Sequence, residues 1–124
     1  MLSKPLLATL LACAPSGLWA FEDMDCIGTE YCADGSCSTA AQAFSVEFDW
    51  STESIDLAGD GLDPTRLALV YGGAAPEAAS GQLAFATPDG SHAIIIEAAG
   101  TRIEARLAIF DGVYTGQCTA REAA

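Results

Sequence analysis

The stretch "AFSVEFDW", Ala43 to Trp50, sets Phe44, Val46, Phe48 and Trp50 on one side of an extended chain and Ser45, Glu47 and Asp49 on the other. Successive side chains of a strand point to opposite faces, so this period of two predicts a strand buried on one face only. The pattern recurs to the end of the chain. Ser54 to Ala58 reads as a short strand with Ile55 and Leu57 inward, broken by "GDGLDPT". "RLALVY" follows, then the loop "GGAAPEAAS", then "GQLAFA" and "HAIIIEA" as a hairpin about "TPDGS". "RIEARLAIF" and "VYTGQC" close the series, with a primed two-residue turn expected at Asp111 and Gly112. Ala, Arg and Glu would suit a helix over Thr101 to Phe110, but the alternation of Ile103, Ala105, Leu107 and Ile109 argues for a strand.

About seven short strands with turns every eight to twelve residues predict an all-β fold. The expected architecture is a small antiparallel meander closed as a barrel or sandwich, with a disulfide-stapled irregular N-terminal segment. A barrel of this size holds little besides its own side chains. Trp50, Tyr71 and Tyr114 are expected to cap the ends of the core.

The start of the chain points outside the cytoplasm. "MLSKPLLATLLACAPSGLWA" has a charged start at Lys4, an apolar run from Leu6 to Ala14 and a small residue at Ala20, the three parts of a secretory signal peptide. The apolar run is well short of the roughly 20 residues a spanning helix needs, so no transmembrane segment is expected. Cleavage after Ala20 gives a periplasmic or secreted protein. A second reading takes "LLAC" as a lipobox and anchors the protein as a lipoprotein at Cys13. The chain of 124 residues then divides into the signal peptide (1–20), a Cys-rich N-terminal segment (21–41), one antiparallel β-domain (42–118) and a tail (119–124).

Beyond the leader stand four cysteines, Cys26, Cys32, Cys37 and Cys118. In an oxidising compartment an even set reads as two disulfides. The spacing has neither the C-x2-C knuckle of zinc sites nor the C-x-x-C of thioredoxin-like centres, and no histidine lies near, so neither metal nor cofactor is expected. Three connectivities are open. Antiparallel packing of the first strand, at Ala43 to Trp50, beside the last favours Cys37 with Cys118, which leaves Cys26 with Cys32.

Seventeen acidic residues face five basic ones, a net charge of −12 that deepens when Lys4 leaves with the leader. Such a field repels nucleic acid and anionic lipid, and it keeps the protein soluble and monomeric. The electrostatically allowed partner is a cationic protein.

Candidate sites are few. His92, the only histidine, sits in "DGSH" beside Ser91 and near Asp89; adjacent strand side chains point apart, so a serine-hydrolase triad is not expected. A carboxylate-based hydrolase would need two carboxylates converging in one pocket, Glu97 being the one that follows an apolar run. Asp56, Asp60 and Asp63 in "DLAGDGLD" form a candidate calcium set, although a plain acidic turn is the simpler expectation and no EF-hand order is present. Pro76, Glu77, Ser80 and Gly81 mark a candidate partner-binding loop.

"SGQLAF" at Ser80 and Gly81, and the closing "YTGQC" at Cys118, are similar in outline to the membrane-bound inhibitors of C-type lysozyme. Those are small exported barrels with a cysteine early, one in the last strand, and an inhibitory SG loop. The resemblance implies inhibition of a cationic envelope-targeting enzyme through the Ser80–Gly81 loop. The residues read by themselves imply a non-enzymatic exported acidic β-domain that works as a binding or structural module.

Overall fold

The computed structural model describes residues 22–72 and 80–121. Eight antiparallel strands close into a barrel: β1 (Met24–Ala33), β2 (Ser36–Asp49), β3 (Ser54–Gly59), β4 (Leu62–Gly72), β5 (Ser80–Ala86), β6 (His92–Ala99), β7 (Arg102–Ile109) and β8 (Gly112–Ala120). Each strand pairs with its chain neighbours, and β1 pairs with β8 to seal the seam. The expected meander is present, closed as a barrel, and the helical alternative over residues 101–110 is replaced by β7.

The barrel has one more strand than the sequence suggests, because the Cys-rich segment is regular. Residues 24–33 and 36–49 form a hairpin about Asp34 and Gly35, both at positive φ (54° and 77°), the geometry that favours Asp-Gly in a two-residue turn. This corrects the irregular segment expected there. It also corrects the disulfides, which join Cys26 to Cys118 and Cys32 to Cys37. The strand that lies beside β8 is β1, so Cys26 falls opposite Cys118, and Cys32 falls opposite Cys37 across the hairpin.

The interior is apolar and filled. Phe44, Val46, Ile55, Leu57, Leu67, Leu83, Phe85, Ile94, Ile96 and Leu107 are all but sealed from solvent, and the Cys26–Cys118 bridge lies among them. The only buried polar residue in the described chain is Ser54, and its hydroxyl meets those of Thr52 (2.6 Å) and the Arg66 guanidinium (3.3 Å). Outward positions carry Asp25, Glu47, Asp56, Arg66, Glu97, Arg102, Glu104 and Arg106.

Glycine opens the seam. Gly28 and Gly116 face each other across β1 and β8, and a Cβ at Gly116 would run into the Ile27 carbonyl and the Gly28 Cα. Gly116→Ala is therefore expected to cost about 1–3 kcal/mol or more, since the obstacle is backbone that cannot rotate away. Urea unfolding measures it; an unchanged midpoint would contradict the close approach.

Two turn-level expectations change. Gly112 is a strand residue opposite Ile109, so the turn residues are Phe110 and Asp111, with Phe110 at φ 53°. Gly112 is kept clear because the Tyr31 ring occupies the place of a side chain there. The aromatics divide: Tyr114 packs on the core and meets Tyr31 at 4.6 Å between centroids, whereas Trp50 and Tyr71 stand 40% and 48% exposed. Tyr71 is outside because the β4–β5 register slips at Val70, which turns Tyr71 to the opposite face from Leu69. Trp50 leaves the sheet at the end of β2 and stacks on Phe48 at 5.3 Å.

Candidate functional site

With the interior filled, the chemistry available to partners lies on the outer face and the two rims. At one rim stand the turns at 34–35, 60–61, 87–91 and 110–111; the other carries residues 50–53, 100–101 and the chain ends of the barrel.

His92 opens β6 beneath the 87–91 turn. Its Nδ1 lies 2.8 Å from the Ser91 hydroxyl, and Phe110 packs edge-on against the ring at 5.3 Å. Asp89 does not reach the imidazole. Its Oδ1 accepts from the Ser91 N–H (2.9 Å) and the Thr87 hydroxyl (2.8 Å), which closes the turn on itself. A triad needs the acid on one imidazole nitrogen and the serine on the other. Here the acid is spent on the serine's own backbone, so the three residues form a turn and not a relay.

Those two donors hold the Asp89 carboxyl at about 2, the Ser91 N–H contributing most. A depressed folded value stabilises above the ordinary aspartate range, and the contribution is lost as pH falls from about 4 toward about 2. Asp25, lowered chiefly by the Arg121 guanidinium, and Asp49, lowered chiefly by the Ser51 hydroxyl, act in the same direction. Melting temperature is expected to fall over that window, and Asp89→Asn is expected to flatten part of the fall. A melting curve independent of pH from about 5 to about 2 would contradict these bonds.

The candidate calcium set does not assemble. Asp56 is taken by Arg66 in a two-pronged ion pair (both contacts 3.0 Å), while Asp60 lies in the β3–β4 turn and Asp63 on β4. Among the described residues, the one group of metal-ligating side chains that converges is Glu30, Cys32 and Cys37, with ligand atoms within 4.8 Å. The disulfide removes both thiolates from that group. Glu97 lies exposed opposite Glu104 across β6 and β7, and no carboxylate of the described chain is buried.

Of the candidate loop, Pro76 and Glu77 lie outside the described residues; Ser80 opens β5, and Gly81 sits beside Ala98 of β6. Beside that point Tyr71 donates its hydroxyl to Gln82 (2.7 Å).

Sequence reasoning did not single out the β1–β2 hairpin as a surface. β2 runs 14 residues but β3 only 6, so β3 covers β2 from Phe44 to Asp49 and no further. The β3–β4 turn ends against β2 at Ala43, whose carbonyl accepts the Asp60 N–H (3.3 Å), while Gln42 donates to the Asp60 carbonyl (2.7 Å). Beyond that point Ser36 to Thr39 and Ala41 are exposed. The Cys32–Cys37 bridge and pairing of β1 with β8 hold the hairpin in place from its other side.

No family model, no curated protein and no solved structure matches this chain.

Proposed function

We propose that this protein is an exported, non-enzymatic β-domain that binds a cationic protein through its outer surface, in the periplasm or the extracellular space. The observation that carries this reading is the packed interior: among the described residues the inside of the eight-stranded barrel is occupied by Phe, Ile, Leu and Val side chains, as small barrels fill with their own side chains. Partners then meet only the exterior, where the acidic surplus is. Three arginines, Arg66, Arg102 and Arg121, are already engaged by neighbouring carboxylates, so the field an approaching protein meets is negative.

Two disulfides favour an oxidising compartment, in keeping with the leader. Apolar residues inside and charges outside reverse the pattern of a membrane barrel. Among the described residues, no helix is long and apolar enough to cross a membrane. Against catalysis stand the exposed carboxylates with downward shifts at Asp25, Asp49 and Asp89, where a general acid needs a raised value.

Protein expressed through its own leader and recovered outside the cytoplasm is the material for the test, with lysozyme as the cationic probe. Calorimetric titration is expected to give binding that weakens steeply with salt, because exposed charges are screened. If the bound lysozyme also loses activity, and Ser80→Ala with Gly81→Ala restores it, the inhibitor reading is the right form of the proposal. Recovery of the protein in the cytoplasm with free thiols would overturn the export reading. Binding that ignores salt would overturn the electrostatic one.

A further inference from the structure

We propose that the free edge of β2, from Ser36 to Ala41, takes an extended basic segment of the partner protein as an added strand. The inference rests on the reading of the domain as an external binding module, and it names the surface and the mode. In a closed barrel every strand is paired on both sides, and edges vanish. Here, among the described residues, the closure is complete only as far as Ala43, because β2 outruns β3.

Backbone direction follows from two contacts. Ser36 pairs with Ala33 across a two-residue turn, so its N–H and C=O face β1, and the Ala43 carbonyl faces β3 by accepting from Asp60. Alternation carried from Ser36 through the regular register to Thr39, and back from Ala43 and Gln42 across the pairing irregularity opposite Gly28 to Glu30, puts the N–H and C=O of Cys37, Thr39 and Ala41 on the open side. This is the ladder half that an incoming strand completes.

Natural edges are guarded by lysine, proline, bulges or inward charges. "SCSTAA", Ser36 to Ala41, contains no proline and no charged residue. Its side chains are small, so a second backbone can approach to strand spacing, about 4.8 Å. The edge is also held in place beforehand, by the Cys32–Cys37 bridge behind it and by Tyr31 packed on Tyr114, which lowers the cost of ordering on binding.

Charge selects the occupant. Asp34 lies in the turn at one end of the edge, Asp60 at the other, and Glu30 opposite Thr39 on the neighbouring strand. A basic segment is drawn to this frame of carboxylates; a second copy of the chain would bring the same carboxylates with it and be repelled.

Amide hydrogen exchange on the full isotope-labelled protein tests the proposal, with the blocked hexapeptide Lys-Val-Lys-Val-Lys-Val as probe. Exchange at Cys37, Thr39 and Ala41 is expected to slow by about tenfold or more on saturation with the peptide. The glutamate counterpart should leave the same amides fast, and so should a peptide N-methylated at alternate residues. Thr39→Pro removes an N–H on the open side while sparing the ladder to β1, and it should abolish the protection. Should that variant fail to fold, the N-methylated peptide on the wild-type protein decides the matter. No slowing with the lysine peptide, or equal slowing with the glutamate one, overturns the inference. So does protection that grows with protein concentration in the absence of peptide, since it assigns the edge to a second copy. These outcomes leave the broader reading standing, because salt-dependent lysozyme binding is measured separately.

Discussion

Replacing Cys26 and Cys118 together by alanine is expected to lower the unfolding free energy by about 4–5 kcal/mol in the chain-entropy view. The bridge spans 92 positions and ties the first strand to the last, so its loss frees nearly the whole described chain in the unfolded state. Both half-cystines face the core, 1% and 8% exposed, and their removal also leaves space that the seam glycines cannot fill. The Cys32–Cys37 bridge closes a loop of only 5 positions, and the same exchange there should cost about 2 kcal/mol. Urea unfolding of the two double variants, without reductant, measures the contrast. Equal losses, or a larger loss at the hairpin, would contradict the assignment of the seam to Cys26 and Cys118.

Phe85→Ala carries the other large effect, about 3–5 kcal/mol. Phe85 is fully buried, sits on β5 between Leu69 and Ile94 in register, and meets Phe48 edge-on at 5.9 Å. An interior packed to this degree cannot close over the hole, so the transfer and cavity losses add. A loss below about 1 kcal/mol would mean that the barrel holds slack, and with it room for a ligand. That result would undercut the exclusion of an internal binding site.

How far the sequence can be read depends on where the inward positions are occupied by large apolar residues. From Phe44 to Ile109 those positions are mostly Phe, Val, Ile and Leu, and strands, hairpins and inward faces were legible there. The β1–β2 hairpin hides because, before Phe44, only Met24, Cys26 and Gly28 are buried, too few for an apolar stripe, and Ser36 to Thr39 are exposed. One signal is present: Asp34–Gly35 is the same turn pair as Asp111–Gly112, but it stands among closely spaced cysteines rather than between apolar alternations. The apolar pattern begins only at Phe44, whose nearest cysteine is Cys37, whereas the strand that lies beside β8 is β1, which carries Cys26. At Phe110 and Gly112 the shift of one position goes with Tyr31, whose ring lies at Gly112, a contact between residues far apart in sequence that no local pattern encodes.

The surface proposed for binding was harder to read for a related reason. An open edge is a difference in length between neighbouring strands, 14 residues against 6, and appears only once register is known. His92 shows the reverse case. Its neighbours Ser91 and Asp89 were visible in the sequence, and the geometry then spends the aspartate on the turn.

Disulfide mapping examines the closure most directly. The unreduced protein is denatured and cut after Glu30 and at Asp34, which separates Cys26, Cys32 and Cys37 onto different peptides. The barrel requires the Cys26 peptide linked to the Cys118 peptide, and the Cys32 peptide linked to that of Cys37. A link between Cys37 and Cys118 would place β2 beside β8, displace β1 from the seam, and remove the open edge together with the fold that presents it.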